Sequence, residues 1–214
     1  MRLIKTLLSR RRTFLNLRLI YTNMIKLKVI SGSVREGRFS EKAATWIADY
    51  LKKHEGVEVE VLDLMDYTLP FFNAAVSPSM KQAPYDNAEV ERFTAKIAEG
   101  DAFVIVTPEY NHGPSGVLKN AIDWVSREWN NKPVSYVSYG SVGGARAVEQ
   151  LRLVAIELQM APIREAVYIP GDKFFPVLFG KAEASELFAH MEKQAEKMTT
   201  QLLWWAKALK QARG

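Results

Sequence analysis

The segment SGSVREGRFS, at residues 31–40, carries the side chains that proteins use to hold a phosphate group. It combines two glycines, three hydroxyl residues and two arginines, Arg35 and Arg38, directly before a predicted helix. Backbone N–H groups at a helix start, supported by hydroxyl and guanidinium groups, bind a terminal phosphate. The segment matches neither the Walker A pattern nor the GxGxxG dinucleotide pattern, so a monophosphate ligand fits better. The alternative is a solvated turn that caps a helix.

Two further loops carry groups suited to a flat ring. The first, TPEYNHGPSGVLKNAIDW from residue 107, places Tyr110 beside Asn111 and a run of backbone amides that can bind the polar edge of a ring. The second, YGSVGGARA from residue 139, contains Gly140, Gly143 and Gly144, which let a ligand approach the backbone closely. The alternative for the first loop is an ordinary loop with Pro near the first helical turn. The alternative for the second is that its glycines serve only tight helix packing.

The hydrophobic periodicity predicts the elements that position these loops. Apolar runs predict five strands, at residues 25–31, 57–64, 101–108, 133–140 and 163–169, and helical spacing predicts helices at 39–54, 88–99, 116–127, 145–159 and 182–212. Strands that alternate with helices indicate a doubly wound parallel α/β sheet. Ligands bind beyond the carboxyl ends of such strands, so the loops after strands one, three and four form the expected site. The long C-terminal helix is expected to pack across the sheet or against a second subunit.

The connection at residues 63–87 is long and contains three prolines. A loop of that length is usually functional. Its apolar part, residues 69–84 with Phe71 and Phe72, predicts a lid or a subunit contact. On the helix after strand three, Asn120 and Asp123 are expected to brace the Tyr110 loop.

Several kinds of site are excluded by composition. Cysteine is absent, which excludes disulfides, thiolate nucleophiles and Cys-ligated zinc or iron–sulfur centres. The three histidines, His54, His112 and His190, lack the spacing of a metal site. Charged residues interrupt every hydrophobic stretch before it reaches the length of a membrane span. Redox chemistry would therefore need a bound cofactor, and we expect no metal and no membrane partner.

The net charge of +5 comes from the N-terminus. Residues 1–23 hold six of the 29 Lys and Arg residues and no acid, which leaves 23 bases against 24 acids in residues 24–214. A near-neutral body lacks the basic face of a nucleic-acid-binding protein. The leader has the composition of an organellar presequence; alternatively, Met24 is the true start. Because its Ser content is low, we favour Met24 as the start. Length and composition predict one domain over residues 24–214. We expect a cytoplasmic location, or an organellar one if the leader is a real presequence.

From Met24 to Pro170 the chain resembles the NADPH-dependent FMN reductase family, a branch of the flavodoxin-like fold that includes azoreductases and quinone reductases. The resemblance rests on GSVREG at 32–37, DLMDYTLP at 63–70, PEYN at 108–111 with the continuation GVLKNAIDW, and SVGG at 141–144. It implies the strand order 2-1-3-4-5. It also implies FMN as the cofactor, with the phosphate held by Ser33, Arg35, Arg38 and Ser40. The isoalloxazine is then lined by Pro108, Glu109, Tyr110, Asn111, Ser141, Gly143 and Gly144.

The same resemblance implies an activity. An NAD(P)H-dependent oxidoreductase, with NADPH favoured by family habit, would pass a hydride to FMN and then to a small acceptor such as free flavin, a quinone or an azo compound. Backbone amides of the Tyr110 and Gly143 turns would stabilise negative charge on the ring, and no side chain is required as acid or base. Because family members commonly pair with FMN near the interface, we expect a homodimer or homotetramer. The alternatives are an electron carrier like flavodoxin, which lacks NAD(P)H turnover and is usually strongly acidic, and a regulatory or scaffold protein without flavin.

Overall fold

The computed structural model describes residues 24–214, so the leader at residues 1–23 lies outside it. In the described chain, six strands form: β1 Ile25–Ser31, β2 Val57–Asp63, β3 Ala102–Pro108, β4 Pro133–Tyr139, β5 Ala161–Pro162 and β6 Val167–Ile169. Four of the six α-helices in this part of the chain lie between strands and two follow the last strand: α1 Ser40–Lys52, α2 Ala88–Glu99, α3 Gly116–Asp123, α4 Ala145–Glu157, α5 Gly171–Leu178 and α6 Ala184–Arg213. The start at Met24, the domain boundary and the compartment stay predictions.

The strands form one parallel sheet in the order β2-β1-β3-β4-β5, with β6 also paired to β4. This confirms the flavodoxin-like α/β fold and its strand order. The last strand, however, is two short segments rather than one. Between them the Ser135 Oγ donates to the Glu165 carbonyl at 2.7 Å, and the Glu165 N–H donates to the Gln201 Oε1 at 2.8 Å. Because side chains satisfy these backbone groups, the ladder is interrupted without leaving them unpaired.

Helices cover both faces of the sheet. The apolar sides of α1, α5 and α6 pack in one core, and those of α2, α3 and α4 pack in the other. Strands β3 and β4 are buried along their whole length, as strands between two helical layers must be. No helix within residues 24–214 is long and apolar enough to cross a membrane.

Two helices differ from the prediction. Helix α3 ends at Asp123 rather than at residue 127, and a 3-10 turn follows in which Trp129 packs on Phe103 with ring centroids 4.8 Å apart. Helix α5 was missed because Pro176 lies inside it and usually breaks a helix. The predicted long C-terminal helix is present as α6, and it begins two residues later than expected.

Candidate functional site

A pocket of about 390 Å³ lies beyond the carboxyl ends of β1, β3 and β4, where the strand pattern predicted the site. It is lined by residues 35–39, 108–110 and 139–141, by Phe174, Phe175 and Leu178 of α5, and by Phe179 directly after α5. Its volume is in the range of small-molecule sites. A larger groove of about 630 Å³ between α1 and α6 is lined by none of the predicted site residues. We therefore take the smaller pocket as the site.

The loop after β1 is held by its own serines. Ser33 is buried, and its Oγ lies 3.0 Å from the Tyr110 Oη. Ser40 is buried at the start of α1, where its Oγ accepts a hydrogen bond of 3.3 Å from the Ser31 Oγ. The first contact joins the predicted phosphate loop to the predicted ring-binding turn, and the second braces the loop from beneath.

The two arginines of this loop have different surroundings. Arg38 donates from Nη1 to the Ser33 carbonyl at 2.9 Å and from Nη2 to the Asp63 Oδ2 at 2.6 Å. Its guanidinium therefore ties the loop to the end of β2. Arg35 is exposed on the pocket wall, and it makes no ion pair within residues 24–214. Arg35 is thus the arginine whose charge is available to a bound anion.

The loop after β3 makes a tight, strained turn. Tyr110 and Gly113 exchange two backbone hydrogen bonds, at 2.9 and 3.0 Å. Between them Asn111 and His112 have φ values of +49° and +70°, in the left-handed region that residues with a Cβ rarely adopt. Such strain persists only where the surroundings enforce it, and it is common at ligand sites. Pro108 is buried just before the turn. Asn111 and His112 are exposed at the tip of the turn.

Arg146 holds this turn and was missed by the sequence reasoning. The carboxylate of Glu109 is largely buried and accepts from the Arg146 N–H at 3.1 Å and from its Nε at 2.7 Å. The Arg146 Nη1 lies 2.7 Å from the His112 Nε2, and Gln150 donates to the His112 carbonyl at 2.8 Å. Because Glu109 lies 37 residues before Arg146 in the chain, no local sequence pattern signals this contact.

The loop after β4 needs its glycines. Gly143 and Gly144 have φ values of +72° and +75°, and Gly144 precedes the first residue of α4. A Cβ on Gly144 would lie 2.7 Å from the Ser138 Cβ, and one on Gly143 would lie 3.1 Å from the Tyr168 Cβ. The backbone at Gly143 and Gly144 therefore packs too closely for a side chain. Ser141, in the same loop, is exposed and lines the pocket.

Tyr139 forms part of the pocket wall at the end of β4. Burial raises the pKa of its hydroxyl well above the usual range, and a hydrogen bond with Ser40 only partly offsets that effect. The phenol therefore stays neutral at physiological pH and contributes an aromatic wall rather than a charge.

The expected brace from α3 to the Tyr110 loop is wrong. Asn120 instead accepts from the Phe72 N–H and donates to the Pro70 carbonyl, both at 2.8 Å. Asp123 pairs with Lys119 on the surface of the same helix at 2.8 Å. Helix α3 consequently holds the long connection after β2 rather than the ring-binding turn.

The comparisons with known proteins agree with this geometry. The family model described as NADPH-dependent FMN reductase matches residues 25–173. An NAD(P)H-dependent FMN reductase of Schizosaccharomyces pombe is 39% identical over 150 residues, 69% of this chain and 75% of the relative. A quinone reductase of Escherichia coli is 35% identical over 155 residues, 68% of this chain and 78% of the relative. The fold resembles the flavoenzyme NAD(P)H:(acceptor) oxidoreductase FerB from Paracoccus denitrificans, with a TM-score of 0.66, 22% identity and coverage of 86% and 98%. The chain belongs to the NADPH-dependent FMN reductase family.

Proposed function

We propose that this protein is an NAD(P)H-dependent FMN oxidoreductase that delivers electrons to a small acceptor of the quinone type. The observation that carries the proposal is the convergence of three loops on one pocket: a cationic loop, a strained aromatic turn and a glycine turn. Membership of the family supplies the chemistry, and the names of the relatives, FMN reductase and quinone reductase, supply the cofactor and the acceptor class.

The pocket residues fit FMN. Arg35 presents a cation free of ion pairs within the described chain, which suits a phosphate dianion. Tyr110 and Tyr139 provide aromatic walls in the same pocket, and Gly140 and Ser141 of the loop after β4 line it as well. FMN carries both kinds of group, a phosphate and a flat ring.

We assign the site residues as follows from this fit. Arg35 would hold the phosphate, Ser33 and Arg38 shape its loop, and Ser40 braces that loop from beneath. Pro108, Glu109, Tyr110 and Ser141 line the pocket and would hold the ring. Asn111, Gly143 and Gly144 belong to the same two turns and would support it from behind the pocket lining. Bound FMN would accept a hydride from NAD(P)H and pass electrons to the acceptor. Amides of the two turns would stabilise negative charge at the edge of the ring, because they are fixed before the charge develops.

The visible spectrum of purified protein, before and after NADPH is added without oxygen, tests this proposal. We expect a yellow protein whose flavin absorbance bleaches rapidly with NADPH. Bound flavin that bleaches with dithionite, yet with neither NADPH nor NADH, would show an electron carrier instead. Protein that stays colourless after loading with FMN would refute both functions and leave a scaffold role.

We also propose that the protein is a homodimer that pairs through α3, α4 and the connection after β2. Leu153 and Ile156 of α4, Val117 of α3 and Phe71 of the connection expose apolar side chains on the same helical layer of the sheet. Large apolar side chains exposed on one layer of a fold are typical of an interaction site. Sedimentation should give twice the chain mass, and a Leu153→Glu and Ile156→Glu double variant should give one chain mass. A wild-type monomer at micromolar concentration would contradict the proposal.

A further inference from the structure

Helix α5 adds an aromatic wall to the pocket that none of the loop motifs predicted. Phe174 and Val177 are buried in the core, where Phe174 also borders the pocket. Phe175, and Phe179 directly after the helix, line the pocket without belonging to the core. Phe175 and Phe179 are 38% and 65% exposed, which is unusual for two phenylalanines one helical turn apart. Two large apolar side chains are thus kept partly in water at the mouth of the site.

The wall is rigidly attached to the core. Ring centroids are 5.4 Å apart for Phe39 and Phe174, 4.4 Å for Phe174 and Phe175, and 6.0 Å for Phe175 and Phe179. The last two rings are nearly parallel, with an interplanar angle of 11°. A row of packed rings therefore runs from the buried start of α1 to the pocket mouth. The outer pair is joined to the core through the contact between Phe174 and Phe175.

Close packing seats α5 against the turn after β4. The Gly171 N–H donates to the Ser141 carbonyl at 3.4 Å. A Cβ on Gly171 would lie 2.9 Å from the ring of Phe175 and 3.1 Å from the Ser141 Cα, so a side chain there would push the helix away. The wall therefore flanks the turn that we assign to the isoalloxazine.

We propose that Phe175 and Phe179 form a stacking subsite for the ring of a planar aromatic electron acceptor, an inference that rests on the proposed function. Aromatic faces attract flat rings, and a preformed pair gives up little conformational freedom on binding. Phe179 is the more exposed of the two rings, which suits a ligand that enters and leaves at each turnover better than a resident cofactor. A second subunit is a poorer occupant, because α5 belongs to the opposite helical layer from the exposed apolar residues of α3 and α4.

Steady-state kinetics of the FMN-loaded protein with two acceptors test the subsite. Menadione, a flat two-ring quinone, needs a stacking surface, whereas ferricyanide takes electrons without one. For a Phe175→Ala and Phe179→Ala double variant, we expect the KM for menadione to rise about tenfold, equivalent to roughly 1.4 kcal/mol. With FMN at saturating concentration, we expect the ratio of the menadione KM to the ferricyanide KM to rise by the same factor in this variant.

Single variants separate stacking from general apolarity and from folding defects. Phe179→Tyr keeps the ring and should keep the wild-type KM for menadione, whereas Phe179→Leu keeps apolar volume without a flat face and should raise it. Trp204→Ala is the matched control, because it removes another exposed aromatic side chain, on α6. It should leave the KM for both acceptors unchanged.

The possible failures are distinguishable. An unchanged menadione KM in the double variant, with wild-type turnover intact, refutes the subsite alone. A parallel loss of FMN affinity shows that the wall holds the cofactor and also refutes the subsite. Wild-type protein that oxidises NADPH with neither acceptor refutes the proposed function, and the subsite with it.

Discussion

Arg35 and Arg38 stand three residues apart in one loop, but only Arg38 is committed to protein partners, Ser33 and Asp63. Arg35→Ala should therefore weaken FMN binding by roughly 10- to 100-fold, since a hydrogen bond to a charged group contributes about 1.5 to 3 kcal/mol. The thermal unfolding midpoint of this variant, measured without FMN, should match that of the wild type. Titration of the apoprotein with FMN, followed by flavin fluorescence, measures the affinity.

Two other arginines provide the comparison. Arg164, whose side chain is 89% exposed on the segment between β5 and β6, should tolerate replacement by Ala without any change in FMN affinity. Arg38→Ala should lower both FMN affinity and the thermal midpoint, because it leaves the partly buried Asp63 carboxylate without its partner. Equal losses of affinity in the Arg35 and Arg164 variants would contradict the assignment of Arg35 to the phosphate.

Gly144 and Gly37 share a left-handed backbone, with φ values of +75° and +64°, yet their surroundings differ. A Cβ at Gly144 would lie 2.7 Å from the Ser138 Cβ, whereas a Cβ at Gly37 meets nothing within 4 Å. Gly37→Ala should cost only the backbone strain, about 1 kcal/mol of unfolding free energy. Gly144→Ala adds overpacking, so it should lower the unfolding free energy by about 2 to 4 kcal/mol. It should also weaken FMN binding. Urea unfolding of both variants measures the difference; equal losses would show that strain alone decides.

Among the elements, the turn after β3 depends on its contact with the start of α4. Arg146→Ala should loosen the Tyr110 turn, because it removes the partner of the largely buried Glu109 carboxylate and the contact to His112. We expect about a tenfold loss of FMN affinity and, in FMN-saturated protein, a slower reduction by NADPH. Stopped-flow measurement of flavin bleaching reports the second effect.

Arg146→Lys is the matched variant for this contact. Lysine keeps the positive charge but cannot reach Glu109 and His112 together with one planar group, so it should resemble Arg146→Ala more than wild type. A lysine variant with wild-type affinity and reduction rate would show that charge alone matters. An unchanged reduction rate in both variants would limit Arg146 to a stabilising role.

The elements also show how far the sequence can be taken. Strands β1 to β4 and the three site loops were predictable, because buried parallel strands give continuous apolar runs and glycines mark the turns after them. Helix α5 was not predictable from the sequence, because Pro176 opposes a helix locally and only the burial of Phe174 and Val177 favours it. Arg146 was not either, because its partner Glu109 lies 37 residues away and the pairing exists only once β3 and β4 are neighbours.

The whole molecule is closed at the end of the sheet opposite the pocket, where α6 returns to the first strands. Asp101, just before β3, accepts from the Lys210 Nζ at 2.6 Å and from the Arg213 Nη2 at 2.9 Å. It also accepts from the Lys26 N–H at 3.0 Å, and Lys210 donates to the Met24 carbonyl at 2.8 Å. One carboxylate thus joins the C-terminal helix to two central strands, with little exposure to water.

Because Asp101 is mostly buried and has several partners, Asp101→Asn should lower the unfolding free energy by about 1 to 3 kcal/mol. Asp49→Asn, which removes an exposed pair with Lys52 on α1, should change it by less than about 0.5 kcal/mol. Urea unfolding followed by tryptophan fluorescence measures both. The FMN affinity of the folded Asp101 variant should match wild type, since the pocket lies at the other end of the strands. A variant that lost affinity without losing stability would show that α6 transmits an effect across the sheet, so that the two ends do not act independently.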